Sequence, residues 1–93
     1  MSNYIQLLQK LELSPTAAKT YIVLLELGKT TADKIAKRAE TYKANIYDAL
    51  EKLQQLGLAA RVIEDNRTFF MPTNPEKLPQ IIEDIKQKKL VQF

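Results

Sequence analysis

The hydrophobic period of this chain changes at Gly57, and that change decides what it can fold into. Up to Gly57 apolar residues recur at intervals of three and four, the spacing of helices with one buried face. In "LAARVIEDNRTFFMPT", Leu58 to Thr73, they alternate instead. Ala60 and Val62 fall opposite Phe69 and Met71 if the ribbon closes through Asp65-Asn66, residue types that tolerate the positive φ of a tight turn. A lone two-stranded ribbon is marginal in water, so this one must lean on the helices, with Phe69 or Phe70 as its anchor.

The helices before it carry their own start and stop signals. "SNYIQLLQKLELS" predicts a short first helix, capped by Ser2 or Asn3, with Tyr4, Leu7, Leu8 and Leu11 on one side. "SPTAAKTYIVLLELG" predicts a buried helix with Ser14 at the N-cap, Pro15 at the first helical position, Ala18, Tyr21, Ile22 and Leu25 inward, and Gly28 as the stop. "TTADKIAKRA" predicts a short helix capped by Thr30 or Thr31, with Ala32, Ile35, Ala36 and Ala39 inward. A further helix over 42–56 begins almost at once. Two helices joined by so short a turn cross steeply, as in a helix-turn-helix. The expected fold is therefore mainly α with a small β-hairpin: a winged helix-turn-helix, flanked by N- and C-terminal helices, with the hairpin over 59–72 as the wing.

Within the helix over 42–56, Leu50, Leu53 and Gly57 lie within about 40° of Ile46 when each residue turns by about 100°, and Ala49 and Leu56 flank that stripe. The stripe faces the core. The first turn is spent on Thr41, Tyr42, Lys43, Ala44 and Asn45, which packing does not need, and a buried rear with a polar N-terminal front is the shape of a groove-reading helix.

Composition narrows the function classes. The 93 residues contain no Cys, hence no disulfide framework or thiolate zinc site, and no His, the commonest general base and metal ligand. Gly28 and Gly57 are the only glycines, so no glycine-rich phosphate loop is encoded, and Ser2 and Ser14 sit at caps with no His to activate them. Asp48 and Glu51 share a helix face with no accompanying pocket signal, the ordinary pattern of a solvated surface. The reading is not an enzyme, with no cofactor and no metal. No membrane span or secretory leader is expected, which points to the cytoplasm. The net charge is +3, and residues 29–52 carry six cations against four carboxylates, so most of the excess surrounds the 42–56 helix.

"TNPEKLPQIIEDIKQKKLVQF" predicts a C-terminal helix over 75–91, with Asn74 as cap, Pro75 at the first position and Pro79 disturbing the first turn. Leu78, Ile81, Ile82 and Ile85 form its apolar stripe, which a monomer could fold onto its own core. The expectation is instead that this helix and the first one supply a homodimer contact, being terminal, amphipathic and remote from the basic face. The whole chain, 1–93, is read as one domain with its core in 13–74.

The segment "LSPTAAKTYIVLLELGKTTADKIAKRAETYKANIYDALEKLQQLGL" resembles the N-terminal winged helix of the TrmB family of transcriptional regulators. The resemblance is carried by Leu13-Ser14, Ala18-Lys19 to Gly28, Thr31-Ala32 to Ile35-Ala36, Ile46-Tyr47 to Gly57-Leu58, and Pro72 to Pro75-Glu76. The family often has Ser-Gly-Val-Pro before the recognition helix, where this chain has Ala39-Glu40-Thr41-Tyr42, without the Gly and Pro and with an added carboxylate. The resemblance implies DNA binding by dimers that read operator half-sites, mostly in archaea. The effector of longer members lies in a C-terminal domain with no counterpart here, so the effector ligand is unknown.

These readings converge on a regulator that binds double-stranded DNA, with the 42–56 helix in the major groove and the wing on the backbone or minor groove. Lys43 suits guanine O6 and N7, and Asn45 can pair bidentately with adenine, unless it bonds neighbouring backbone instead. Asp48 shares that front, with Thr41 and Ala44. Tyr42 is expected to be half-buried with its hydroxyl on a phosphate, and Tyr47 to pack. Thr30 and Thr31 offer hydroxyls at a helix N-terminus suited to a phosphate, although capping alone explains them. Arg67 is either a backbone or minor-groove contact or the cross-strand partner of Glu64. The alternative is a winged helix used as a protein-interaction module, which would expose apolar groups where this chain offers Lys43, Asn45 and Asp48.

Overall fold

The computed structural model describes residues 13–73 together with Glu76, Pro79, Gln80 and Glu83. The expected first helix and most of the C-terminal helix, with the stripe of Leu78, Ile81, Ile82 and Ile85, lie outside the described residues.

Three helices and a hairpin follow one another: α1 (Pro15–Leu27), α2 (Ala32–Ala39), α3 (Lys43–Gln55), β1 (Ala59–Glu64) and β2 (Arg67–Pro72). The Ser14 side chain accepts a hydrogen bond from the Ala17 N–H at 3.1 Å, Pro15 opens α1, and the Gly28 N–H closes it on the Leu24 carbonyl at 2.7 Å. The buried face of α1 is Ala17, Thr20, Tyr21, Val23 and Leu24, whereas Ile22 and Leu25 are only half-buried. The expected stripe through Ala18, Ile22 and Leu25 is thus displaced. Thr20 lies at the centre of the true one because its hydroxyl donates to the Thr16 carbonyl at 2.7 Å, which lets a polar residue occupy the core.

Thr31, not Thr30, caps α2, accepting from the Lys34 N–H. Ala32, Ile35 and Ala39 face inward as expected. The turn that follows has no glycine, and Glu40 takes its place in the left-handed region at φ 52°, with the Thr41 N–H reaching back to the Ala36 carbonyl. A side chain with a Cβ is strained there, so the turn expected from the length of the segment forms at a local cost.

Behind α3, Ile46, Ala49, Leu50 and Leu53 are buried against α1 and α2, the stripe read from the sequence. Gly57 instead stands exposed at φ 79° and lets the chain reverse, so that the Leu58 N–H donates to the Leu53 carbonyl at 2.8 Å and Leu58 is buried. The strands then pair in the expected register, Ala60 with Met71 and Val62 with Phe69. Asp65 and Asn66 turn the hairpin with φ of 50° and 62°. Phe70 is the anchor that enters the core; Phe69 is only half-buried.

Sequence periodicity gave no hint of a third pairing. Thr30 donates its N–H to the Phe70 carbonyl and accepts the Phe70 N–H, acting as a one-residue strand beside β2. Thr73 binds the Leu58 carbonyl through both N–H and hydroxyl. The hairpin is therefore tied along β2 to the segment between α1 and α2, and Thr73 and Leu58 close its base.

Two substitutions probe this architecture. Leu50→Ala is expected to cost about 2 to 5 kcal/mol of stability, through lost transfer energy and the cavity left behind α3, read by urea denaturation. Glu40→Gly is expected to stabilise the fold by up to about 1 kcal/mol, since relief of left-handed strain exceeds the entropy that glycine loses on folding; a fall in the unfolding midpoint would contradict it.

Candidate nucleic-acid interface

The N-terminus of α3 owes its exposure to the backbone of one residue. Tyr42 is its N-cap, with φ −61° and ψ 138°, and makes no side-chain cap bond; its carbonyl accepts from the Asn45 and Ile46 N–H groups. Because the cap is extended, the helical rotation that would have tucked the ring beside Ile46 does not apply there. Tyr42 stands 83% exposed, which corrects the expectation of a half-buried ring.

Lys43, Ala44, Asn45 and Asp48 are exposed beside it, so the structure brings together on one front five of the nine expected contact residues. Asn45 and Asp48 lie on the flank toward the start of α1, where with Lys52 they line a shallow groove closed by Ser14 and Thr16. The other flank carries Tyr47, Glu51 and Gln54 and faces Arg61, Thr68 and Phe70 of the hairpin across a second cleft. Tyr47 half fulfils its packing role: its ring meets Phe70 edge-on at 6.3 Å and 72°, yet it remains 47% exposed.

The other expected contacts are placed apart from this front. Thr41 is half-buried and its hydroxyl donates to the Ala39 carbonyl at 3.0 Å, closing the turn. Thr31 uses its oxygen as the α2 cap, which leaves the hydroxyl proton able to donate outward. Thr30 is 5% exposed, its backbone engaged by Phe70, and its side chain is withdrawn from the surface. Arg67 starts β2 beside the wing turn. It stands opposite Glu64 in the register, but Glu64 pairs with Lys29, and the Arg67 guanidinium lies 5.4 Å from the Phe69 ring centroid.

Lys29 is the residue that the sequence least suggested. Thirty-five positions from Glu64, it pairs with that carboxylate, and its ammonium lies 5.4 Å from the same Phe69 ring. Its position directly before Thr30, the residue that bridges β2, is the only cue the chain offers. Arg61 likewise has no local sequence signal, although its register opposite Phe70 puts it on the α3 side of the hairpin.

The electrostatics of the front are set by a contact between the two helices of the turn. The Lys43 ammonium donates to the Asp33 carboxylate at 2.7 Å, linking the first residue of α3 to the first turn of α2. The hydrogen bond from Lys43, and then its charge, hold the Asp33 carboxyl below the ordinary aspartate range; the same hydrogen bond and charge raise the Lys43 ammonium above the ordinary lysine value. A depressed carboxyl keeps its partner until pH falls through its folded pKa, and a raised ammonium keeps its own until pH rises through its folded pKa, so the pair spans the whole neutral range. Arg38 is similarly paired with Glu26 at 2.9 Å. Among the described residues Asp48 and Glu51 have no such partner, and no group of three or more His, Cys, Asp or Glu side chains is placed to hold a metal ion. No helix among them is long and apolar enough to cross a membrane.

The pairing can be read directly. An NMR titration of the side-chain carboxyls is expected to place Asp33 below ordinary aspartate and to return it upward in Lys43→Ala; an unchanged midpoint in that variant would show that the contact is not formed in solution.

Comparison with known proteins agrees with this geometry. The model of the family described as "Sugar-specific transcriptional regulator TrmB" matches residues 8–76. The HTH-type sugar sensing transcriptional regulator TrmBL1 of Pyrococcus furiosus is 32% identical over 82 residues, 87% of this chain but 24% of that protein. Among solved structures, TrmBL2, described as an archaeal chromatin protein with a novel mode of DNA binding, superposes with a TM-score of 0.78 at 23% identity, over 98% of this chain and 35% of that one. A Sulfolobus tokodaii protein gives 0.72 at 18% identity, over 99% of this chain and 94% of that one. A MarR family protein of Bacillus stearothermophilus gives 0.65 at 21% identity, over 98% and 64% of the two chains. At these identities the structural likenesses establish the winged-helix fold. The chain spans about a quarter of TrmBL1 and about a third of TrmBL2.

Proposed function

This chain belongs to the TrmB family of transcriptional regulators, and from that premise we propose that it is a sequence-specific double-stranded DNA-binding module whose α3 enters the major groove. The family is one of regulators, not enzymes. One observation carries the reading: the rear of α3 is fully buried while Tyr42, Lys43, Ala44, Asn45 and Asp48 stand in solvent at its N-terminal front, where packing has no use for them.

In this reading Lys43 donates to guanine O6 and N7 and Asn45 pairs with adenine N6 and N7. The Asn45 side-chain amide makes no hydrogen bond among the described residues, which favours base reading over a backbone role. Tyr42, Thr31 and Arg67 supply phosphate contacts, the last from the wing, and Lys29 and Arg61 extend the cationic surface along the hairpin. The proposal includes a cytoplasmic homodimer, so that two α3 helices meet half-sites about one helical turn apart, with the C-terminal helix over 75–91 at the dimer contact and one domain over the whole chain. The sugar sensing for which TrmBL1 is named belongs to a protein of which this chain matches 24%.

Selection of bound duplexes from a random pool tests the reading. It should return a consensus, and Lys43→Ala and Asn45→Ala should each cost about 1 to 3 kcal/mol of binding to it and relax one base position, with stability little changed. With about four to six phosphates neutralised per dimer, log K against log salt should fall with a slope of roughly −4 to −5. Failure to enrich any duplex, with a flat salt dependence, would refute DNA binding and leave the protein-interaction reading, which the unpartnered Asp48 and Glu51 would then serve.

A further inference from the structure

Resting on the DNA-binding reading above, we propose that Asp33 is a specificity-determining residue: its carboxylate aims the Lys43 ammonium at base edges and makes indiscriminate phosphate contacts by that lysine unfavourable. Lys43 begins the helix that reads; Asp33 lies in the first turn of the helix before it. The two side chains meet at 2.7 Å across the turn, and both remain accessible, at 53% for Lys43 and 70% for Asp33. Such a pair is weak as a source of stability. Its accessibility makes it effective in recognition, because a ligand must negotiate with it.

Donor count and charge together set what Lys43 can contact. An ammonium has three N–H donors, so Lys43 can keep one on Asp33 and still offer two to guanine O6 and N7. A phosphate oxygen could take the same donors, but it carries a formal negative charge that the Asp33 carboxylate on the same ammonium repels, whereas guanine O6 and N7 are neutral acceptors. The Asp33 carboxylate therefore penalises the sequence-independent complex more than the specific one. Without it, Lys43 becomes a flexible point charge on a four-carbon stem, equally content with any phosphate.

The cations around Asp33 do not cancel this effect. Lys37 lies one turn further along α2 and contributes to lowering the Asp33 carboxyl, but more weakly than Lys43 does. Arg38 is held by Glu26, and Lys29 by Glu64. Three cations on or beside the helix-turn-helix and wing are thus each matched to an acid. Of these three pairs among the described residues, the Asp33 pair alone includes a residue of the α3 front.

The test compares binding to a selected duplex and to a duplex of scrambled sequence, by fluorescence anisotropy over a series of salt concentrations, for the wild-type chain, Asp33→Asn, Lys43→Ala and the double variant. Asp33→Asn should tighten binding to the scrambled duplex about three- to tenfold and steepen its salt slope by about one, while leaving the selected duplex unchanged or weaker, so that the ratio of the two affinities falls about tenfold. Asp33→Glu, which restores a carboxylate, should recover part of the ratio. In the Lys43→Ala background Asp33→Asn should no longer change it. An unchanged ratio in Asp33→Asn, or an equal fall in the Lys43→Ala background, would overturn the inference. Circular dichroism on each variant confirms that the fold is retained, as expected for a substitution at an exposed position. If the wild-type chain itself binds neither duplex, the functional reading has failed, and not Asp33's part in it.

Discussion

The burial of one helix face governs everything else in this domain. Ile46, Leu50 and Leu53 are fully buried between α3 and the helices behind it, and together with Leu24 and Ile35 they fix the roll of α3 about its axis. With the roll fixed, the residues at the N-terminal end of the opposite face have nowhere to go but solvent. The front from Tyr42 to Asp48 is thus a consequence of packing, and its chemistry is free to vary without cost to the core. The same core receives Phe70 from the hairpin, so the wing is held in relation to α3 by the side chain that completes the fold.

Charge is distributed on this scaffold with restraint. A surface carrying six cations and four carboxylates over residues 29–52 could have bound any polyanion through unpaired lysines, but the structure matches Lys29, Arg38 and Lys43 to Glu64, Glu26 and Asp33. Each exposed pair contributes little to stability. Under the proposed function, these pairs trade general affinity for discrimination. The carboxylates of Asp48 and Glu51, left without partners on the outward face of α3, act in the same direction.

The elements that were legible in the sequence are those announced by local chemistry. Ser14, Pro15 and Gly28 bound α1, Gly57 ends the third helix, and the alternation around Asp65-Asn66 fixed the hairpin register to the residue. What stayed hidden depends on contacts that have no period. Thr20 is buried because one carbonyl takes its hydroxyl, and Thr30 forms a strand one residue long. The contact between Asp33 and Lys43 joins residues ten apart across a turn whose path depends on Glu40 adopting a conformation that glycine would have advertised. Tyr42 is exposed for a related reason: it precedes the first helical residue, so the buried stripe of α3 does not extend to it. The front of α3 was therefore readable as a set, but its internal pairing was not.

The central claim is that this front, and not another surface of the domain, meets DNA. Amide chemical-shift mapping of the isotopically labelled chain during titration with a selected duplex tests it most directly. The account predicts that the largest shifts cluster at residues 41–48 and around the wing turn at 65–67, with smaller ones at 31–33, while the buried core of α1 is little affected. Shifts confined to the rear of α1 or to the region beyond Thr73, with 41–48 unmoved, would contradict it.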